Sequence, residues 1–264
     1  MKKILFPLAL LVAGLLVFES CKKNSGGSAK LAIYLTDDPA DYAEVNIDIK
    51  EVLVDISDNG TENWQSVAIT PGIYNLLDFR NGMDVLLGTI DLPEGNISRM
   101  RLVLGSNNSL VDSAGNSYEL KTPSAQQSGL KLNLKTDVDL VAGITYKVWI
   151  DFDAGRSVVK AGNSGNYILK PVIRTFVEAS GGTIKGIVLP GAAESWVYAI
   201  RGTDDTVASA KPDSTTGMFM MKGIGADTYK LGIDAKNNYK DTVITPVVVT
   251  VGAVTDIGTV TLKQ

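Results

Sequence analysis

The sequence contains no histidine and a single cysteine among its 264 residues. Without histidine it lacks the usual general base near neutral pH, the usual zinc ligand and the base of every Ser-His or Cys-His catalytic pair. A lone cysteine also excludes a disulfide within the chain. The side chains that remain for chemistry are carboxylates, lysines, tyrosines and hydroxyl groups.

Concentrated positive charge is missing as well. The chain has 25 Lys and Arg residues against 29 Asp and Glu residues, a formal net charge of −4, and no dense basic stripe. A protein that binds nucleic acid needs a positive surface to neutralise phosphates. We therefore expect no nucleic-acid partner.

Long apolar runs are absent except near the N-terminus, where residues 4–18 follow Lys2 and Lys3. This run of about 15 residues is shorter than the roughly 20 needed to span a bilayer. A basic start, a short apolar core and an abrupt change to polar residues are typical of a secretory signal. The pattern predicts a signal peptide at 1–20 and a flexible linker at 21–29.

Cys21 stands at the end of this signal. It is either the site of lipid attachment after cleavage before it, or an incidental residue behind an ordinary cleaved signal. The junction Ser20-Cys21-Lys22-Lys23 resembles that of bacterial lipoproteins of the Bacteroidetes type. The resemblance implies an acyl anchor on Cys21 and a place in the cell envelope at the outer membrane. The leaflet stays open, because Lys22 and Lys23 replace the acidic run of many surface-exported members.

From residue 30 to 178 apolar residues recur with the period of two that marks half-buried strands. The phase changes between residues 45–49 and 52–56, which predicts a bulge near residues 50–51. Only residues 83–88 are ambiguous enough to be a helical turn. The chain is therefore predicted to be all-β, with two consecutive antiparallel β-sandwiches. The strands predicted after residue 60 in the first sandwich are 64–69, 74–79, 85–92, 100–104, 130–135, 146–152, 156–160 and 167–177.

Seven short motifs in this region resemble the domain-of-unknown-function family numbered 4382. The resemblance covers nearly all of residues 30–177 and implies a cell-envelope lipoprotein domain of β-sandwich type, here immunoglobulin-like and assigned to 30–178. It implies no reaction. The motifs are LTDDP at 35–39, YAEVNI at 42–47, YNLL at 74–77, LPEG at 92–95, SGLK at 128–131, DFDA at 151–154 and LKPVIR at 169–174.

A short small-residue hinge at 178–182 leads to a second β region, at 180–264. It resembles the carboxypeptidase-regulatory or transthyretin-like seven-stranded module. The turn from Asp213 through Gly217 to Phe219, the turn from Gly225 to Tyr229, and a valine-rich strand before residue 252 carry this resemblance. It implies structural roles, with glycines in tight turns and aromatic rings between the sheets.

Five aspartates are the strongest candidates for a site. Asp37, Asp38 and Asp41 share one loop, and Asp151 and Asp153 lie two apart, on one face of a strand. Oxygen-rich clusters suit Ca²⁺, so calcium is the one cofactor these residues predict. The alternative is structural: Asp37 caps a turn, while Asp151 and Asp153 close hydrogen bonds at the sheet end, with a salt bridge to Arg174.

Paired carboxylates are also the apparatus of glycoside hydrolysis. Trp149 is the only tryptophan close to them in the sequence. The aromatic residues either stack on sugar rings or, as their place in alternating strands favours, fill the core. These residues are Trp64, Trp149, Trp196, Tyr34, Tyr74 and Tyr198.

Taken together, these features predict a non-catalytic, lipid-anchored envelope protein that serves as a binding or assembly module. Its partners besides the membrane would be a glycan, a protein or another envelope component. Two alternatives stay open: a carboxylate- or metal-dependent hydrolase, and a structural subunit of a pilus or surface layer.

Overall fold

A computed structural model describes residues 27–38, 40–56, 61–122, 129–162, 165–178 and 181–264. The predicted signal at 1–20, Cys21 and most of the linker lie outside these residues, so the lipid anchor stays a prediction. The first strand begins at Ser28, within the predicted linker. In the described part of the chain no helix is both long enough and apolar enough to span a bilayer.

Strands make up nearly all of the regular structure, which confirms the all-β prediction. Helical residues are few in the described ranges: α1 (Ala154–Ser157) and two 3-10 turns, Leu76–Phe79 and Gly191–Ala193. The first unit, residues 27–178, contains β1 (Ser28–Asp38), β2 (Glu44–Asp55), β3 (Trp64–Ser66), β4 (Ala68–Ile69), β5 (Gly72–Asn75), β6 (Val85–Pro93), β7 (Gly95–Leu104), β8 (Ser109–Val111), β9 (Ser117–Lys121), β10 (Leu130–Leu140), β11 (Thr145–Asp153), β12 (Val158–Lys160), β13 (Tyr167–Leu169) and β14 (Ile173–Val177). The second unit, residues 181–264, contains β15 (Gly182–Leu189), β16 (Trp196–Arg201), β17 (Asp205–Ala210), β18 (Met218–Ile224), β19 (Asp227–Asp234), β20 (Thr242–Val249) and β21 (Val254–Thr261).

Two sheets form the first unit. One has the order β14-β11-β1-β6-β4, and the other has the order β10-β7-β2-β8-β9-β13-β12, with β3 and β5 also paired to β2. Most pairs are antiparallel, but β1 runs parallel to β11. Parallel neighbours cannot be joined by a hairpin, so no local sequence signal marks this pairing. It brings the chain near Asp37 beside the chain near Asp153.

Strand β2 explains how the first core is built. The apolar side chains that point inward lie in opposite phases in the two halves of the strand, and all of them are buried: Val45, Ile47, Ile49, Val52 and Val54. Between Ile49 and Glu51 the register against β7 shifts, which confirms the predicted bulge. The extra residue turns the second half of the strand back toward the core. Each buried Val or Ile contributes about 1.5–3 kcal/mol of transfer free energy.

The second unit has seven strands in two sheets, with orders β18-β15-β21 and β17-β16-β19-β20. Its hydrophobic core is separate from that of the first unit. The turn before β18 has the predicted roles: the Asp213 carboxylate accepts the Thr216 N–H at 2.7 Å, Gly217 has a φ of +71°, and Phe219 is buried. Whether residues 180–264 belong to the carboxypeptidase-regulatory family stays a prediction.

Two predicted strands are wrong in part. Residues 76–79 form a 3-10 turn, because the Asn75 side chain accepts a backbone N–H of the turn at 3.3 Å. Residues 154–157 form α1, where the Asp153 carboxylate accepts the Arg156 N–H at 2.8 Å. In both places a short polar side chain competes with the strand ladder for backbone hydrogen bonds.

Other boundaries also differ from the pattern. The ambiguous segment 83–88 enters β6 at Val85 and is not helical. The predicted run 167–177 is interrupted between β13 and β14. Strands β8, β9 and β17 are not anticipated from the sequence.

Candidate functional site

A cleft of about 670 Å³ lies between the two units. On the first unit it is bordered by the chain at 38–42, the end of β11, the start of α1 and the start of β14. On the second unit it is bordered by β16 and β17. Four of the five predicted site aspartates line it: Asp38, Asp41, Asp151 and Asp153.

An ion pair between Asp151 and Arg174 lies at the inner wall of the cleft. The two residues stand directly opposite each other on β11 and β14. Arg174 donates from Nε to Asp151 Oδ2 at 2.9 Å and from Nη2 to the same oxygen. This confirms the salt bridge that the sequence predicts for Arg174. Asp151 is only 3% exposed, and no described residue donates a hydrogen bond to its Oδ1.

Asp37 and Asp38 bring two more carboxylates close to this pair. Asp37 Oδ1 accepts the Ala154 N–H at 3.0 Å, while its buried Oδ2 has no hydrogen-bond partner in the described part of the chain. Burial, and then the charges of Asp151 and Asp38, raise the pKa of Asp37 well above its usual value, although the Ala154 N–H opposes this. Burial and Asp151 also raise the pKa of Asp38, against the lowering effect of Arg174. The cluster therefore holds more acidic groups than the single guanidinium can neutralise.

Asp153 and Asp41 have different environments. Asp153 caps α1, and burial raises its pKa despite the N–H and the charge of Arg156. Asp41 is exposed and forms ion pairs with Lys211 and, at 3.6 Å, with Lys236 of the second unit. Its partial burial acts to raise the pKa, but the hydrogen bond and charge of Lys211 outweigh burial, so the pKa is lowered.

The structure thus brings Asp37, Asp38, Asp151 and Asp153 together and places Asp41 at the rim. Within the described ranges no group of three or more Asp, Glu or Cys side chains is arranged to hold a metal ion. Arg174 occupies the position where a cation would balance the buried charge. The calcium site stays a prediction.

The aromatic residues divide into core and cleft. Trp149 is buried, stacked between Tyr34 at 5.1 Å and Phe176 at 5.4 Å between ring centroids. By contrast, Trp196 and Tyr198 are half-buried on β16 and line the cleft, with ring centroids 6.2 Å apart and planes 12° from parallel. Trp149 is therefore not the tryptophan that accompanies the carboxylates in the cleft.

The second unit supplies site residues that the sequence does not reveal. Arg201 and Asp205 pair across the turn between β16 and β17, with Nε and Oδ2 3.0 Å apart, and both line the cleft. Below the cleft, Lys222 donates to Asp84 Oδ2 at 2.9 Å and to the Gly82 carbonyl. These residues lie more than 40 positions from the first-unit aspartates in the sequence. Only the β16 alternation, which places Trp196 and Tyr198 on one face, hints at them.

The fold and the cleft define an all-β protein in which two sheet-built units enclose a polar cavity. The family model of a domain of unknown function (DUF4382) matches residues 28–171. The chain belongs to this family. None of the curated proteins compared with the chain matches it.

Solved structures resemble the chain only weakly. A leucine-rich repeat protein from Bacteroides thetaiotaomicron is 12% identical with a TM-score of 0.25; the match covers 90% of this chain and 26% of that one. A minor pilin from Streptococcus agalactiae is 12% identical with a TM-score of 0.24, covering 88% and 95%. A fimbrial protein from Bacteroides ovatus is 10% identical with a TM-score of 0.25, covering 90% and 51%. TM-scores this low carry no argument about function.

Proposed function

We propose that the protein is a non-catalytic binding or assembly module of the cell envelope, held at the outer membrane by lipid on Cys21. The cleft between the two units is its binding site, for a glycan, a protein or another envelope component. One observation carries this proposal. Trp196 and Tyr198 on β16 face a cavity whose other walls carry carboxylates and guanidinium groups in ion pairs. Cavities of roughly 300–1,000 Å³ are typical of ligand sites.

The anchor and the cleft are tested separately. Expression of the full chain with Cys21→Ala should move the protein from the membrane fraction to the soluble fraction and abolish incorporation of labelled fatty acid. Wild type in the soluble fraction, without label, would leave an ordinary cleaved signal as the explanation.

Binding is tested with Trp196→Ala and, as a matched control outside the cleft, Trp64→Ala. Glycan arrays and cross-linking to envelope proteins should each be run with both variants. Loss of a bound partner in the Trp196 variant alone supports the cleft as the site. Filaments of purified protein that form equally well with either variant would instead favour the structural subunit.

A hydrolase is the second candidate, favoured by one observation. Asp38 and Asp153 line the cleft, and burial is the largest cause that raises the pKa of each. A carboxylic acid with a raised pKa is what glycoside hydrolysis requires of its proton donor. Turnover of a bound oligosaccharide that disappears in Asp38→Asn or Asp153→Asn would replace the non-catalytic proposal.

A further inference from the structure

We infer that the cleft binds an uncharged oligosaccharide, with a sugar ring stacked on Trp196 and Tyr198 and its hydroxyl groups bound to the paired Asp and Arg side chains of the walls. This inference rests on the proposed function and names the ligand class. It depends on two features: the aromatic surface and the pairing of most of the charges.

An aromatic surface lies on β16. Trp196 and Tyr198 are two residues apart, so they project from the same face, and their rings lie 12° from parallel. The other two tryptophans are covered: Trp149 is 7% exposed, between two rings, and Trp64 lies beneath Arg101, 4.3 Å from the ring centroid. Flat aromatic faces with polar groups beside them suit the C–H face of a sugar ring.

Lysine already occupies part of this surface. Lys211 Nζ lies over the Trp196 ring, 5.7 Å from its centroid, and is held by Asp41. A cationic ligand would have to displace this internal cation and would duplicate its contacts. A neutral ring shares Trp196 with Lys211 and gains an ammonium donor for one hydroxyl group.

Most of the charges in the walls are paired, although Asp38 also lines the cleft and adds an acid beyond these pairs. Asp151 binds Arg174, Asp205 binds Arg201, and Asp153 lies 3.7 Å from Arg156. A charged ligand must compete with one member of each pair it meets. A hydroxyl group accepts from a guanidinium and donates to the neighbouring carboxylate without separating them. Alternating donors and acceptors therefore favour a polyhydroxylated, uncharged ligand over an anion or a cation.

The test uses the mature two-unit chain, arrays of neutral and uronic-acid oligosaccharides, and titration calorimetry on the sugars retained. Wild type should bind neutral oligosaccharides, and Trp196→Ala should weaken binding about tenfold or more. Trp196→Phe should restore part of the affinity, and Trp64→Ala should leave it unchanged. Binding should also change tryptophan fluorescence in wild type but not in Trp196→Phe. Thermal melts of each variant establish that it is folded.

Three results would overturn the inference. Tighter binding of uronic-acid than of neutral oligosaccharides would contradict the uncharged class. Binding of neutral sugars that Trp196→Ala leaves unchanged would place the sugar elsewhere. If no sugar binds but a cross-linked protein partner is lost with Trp196→Ala, the ligand class is wrong and the proposed function survives. If no partner of any kind depends on Trp196, the proposed function fails as well.

Discussion

Two carboxylate–arginine pairs in the first unit have the same design in different surroundings. Asp55 faces Arg99 across β2 and β7, and Asp151 faces Arg174 across β11 and β14, each pair in direct register. The Asp55 carboxylate is completely satisfied, because Oδ2 binds Arg99 and Oδ1 accepts the Asn63 N–H at 2.9 Å. The Asp151 carboxylate binds Arg174 through Oδ2 only.

This difference indicates that the Asp55–Arg99 pair contributes to stability, whereas the Asp151–Arg174 pair belongs to the site. Around Asp55, Arg99 also reaches Glu62 at 3.1 Å, so the positive charge is shared between two acids toward solvent. Around Asp151, one guanidinium faces three further aspartates whose pKa values are raised, primarily by burial. A protein selected only for stability has no reason to retain this excess of buried negative charge beside a cleft.

Removal of the arginine should have the largest effect. Arg174→Ala should lower the free energy of unfolding by about 3–5 kcal/mol, because it leaves Asp151 buried without a counter-ion. Arg99→Ala should cost less, about 1–3 kcal/mol. The Arg99 side chain is 34% exposed against 17% for Arg174, and Asp55 keeps the Asn63 N–H. Urea unfolding at pH 7 measures both values.

Equal losses of unfolding free energy in Arg99→Ala and Arg174→Ala would contradict this expectation, since the surroundings of the two pairs would then be equivalent. If Arg174→Ala does not fold, Arg174→Lys provides the measurement. Lysine keeps the charge but cannot reproduce the two contacts to Asp151, so a loss of about 1–2 kcal/mol is expected.

Neutralising the acid should cost more stability in the Asp55–Arg99 pair than in the Asp151–Arg174 pair, which is the reverse of the order expected for the arginine variants. Asp55→Asn should cost about 2 kcal/mol, because an amide cannot accept from both Arg99 and Asn63 and places a donor opposite a donor. Asp151→Asn should cost about 1 kcal/mol or less, since it keeps one acceptor for Arg174 and relieves the repulsion on Asp37 and Asp38. Equal losses in parallel urea titrations would show that this repulsion contributes nothing to stability.

The sequence predicts part of this comparison and misses the rest for physical reasons. The two-residue spacing of Asp151 and Asp153 and the nearby Arg174 suffice to predict the salt bridge, because all three lie within two neighbouring strands. The Asp55–Arg99 pair has no comparable signal, since 44 residues separate its members. The cleft is missed entirely, because its walls come from two units whose mutual placement no local pattern encodes.

At the level of the fold, alternation identifies the strands and the bulge in β2, because burial on one face imposes a period of two. It does not identify the parallel pairing of β1 with β11 or of β15 with β21, which depends on residues far apart in the chain. It also places residues 156–157 in a strand, although they belong to α1, where capping by Asp153 outweighs strand propensity.

Replacement of Asp37 should have a smaller effect on the free energy of unfolding, and this effect should be stabilising. Its pKa is raised in the folded protein, so the stability linked to its protonated form is present below the usual value of 3.8 and is lost as pH rises through the raised folded value. At pH 7 Asp37→Asn should therefore be more stable than wild type by about 1 kcal/mol. Asparagine is neutral and still accepts the Ala154 N–H.

The pH dependence of this stability difference tests whether the buried charge of Asp37 causes it. The advantage of Asp37→Asn should shrink as pH falls toward the usual value, where wild type also becomes neutral. Asp213→Asn is the matched control, because the N–H and hydroxyl of Thr216 lower the pKa of Asp213. That variant should be less stable than wild type at pH 7, and the deficit should vanish as pH falls below the usual value. Urea unfolding from pH 7 to below the usual value of 3.8 that shows no change of the Asp37→Asn advantage would contradict the buried-charge explanation.

The smallest effect on stability is expected at Asp41, the exposed acid at the rim of the cleft. Asp41 is 51% exposed and pairs with Lys211 and Lys236, so Lys211→Met should change stability by no more than about 0.5 kcal/mol. Lys185→Met removes a similarly exposed pair with Asp256, away from the cleft, and should have the same effect. Thermal unfolding at low and high salt should bring both variants closer to wild type as salt rises. A loss several times larger for Lys211 than for Lys185 would mean that the ion pair between Asp41 and Lys211 at the rim of the cleft helps to hold the two units together.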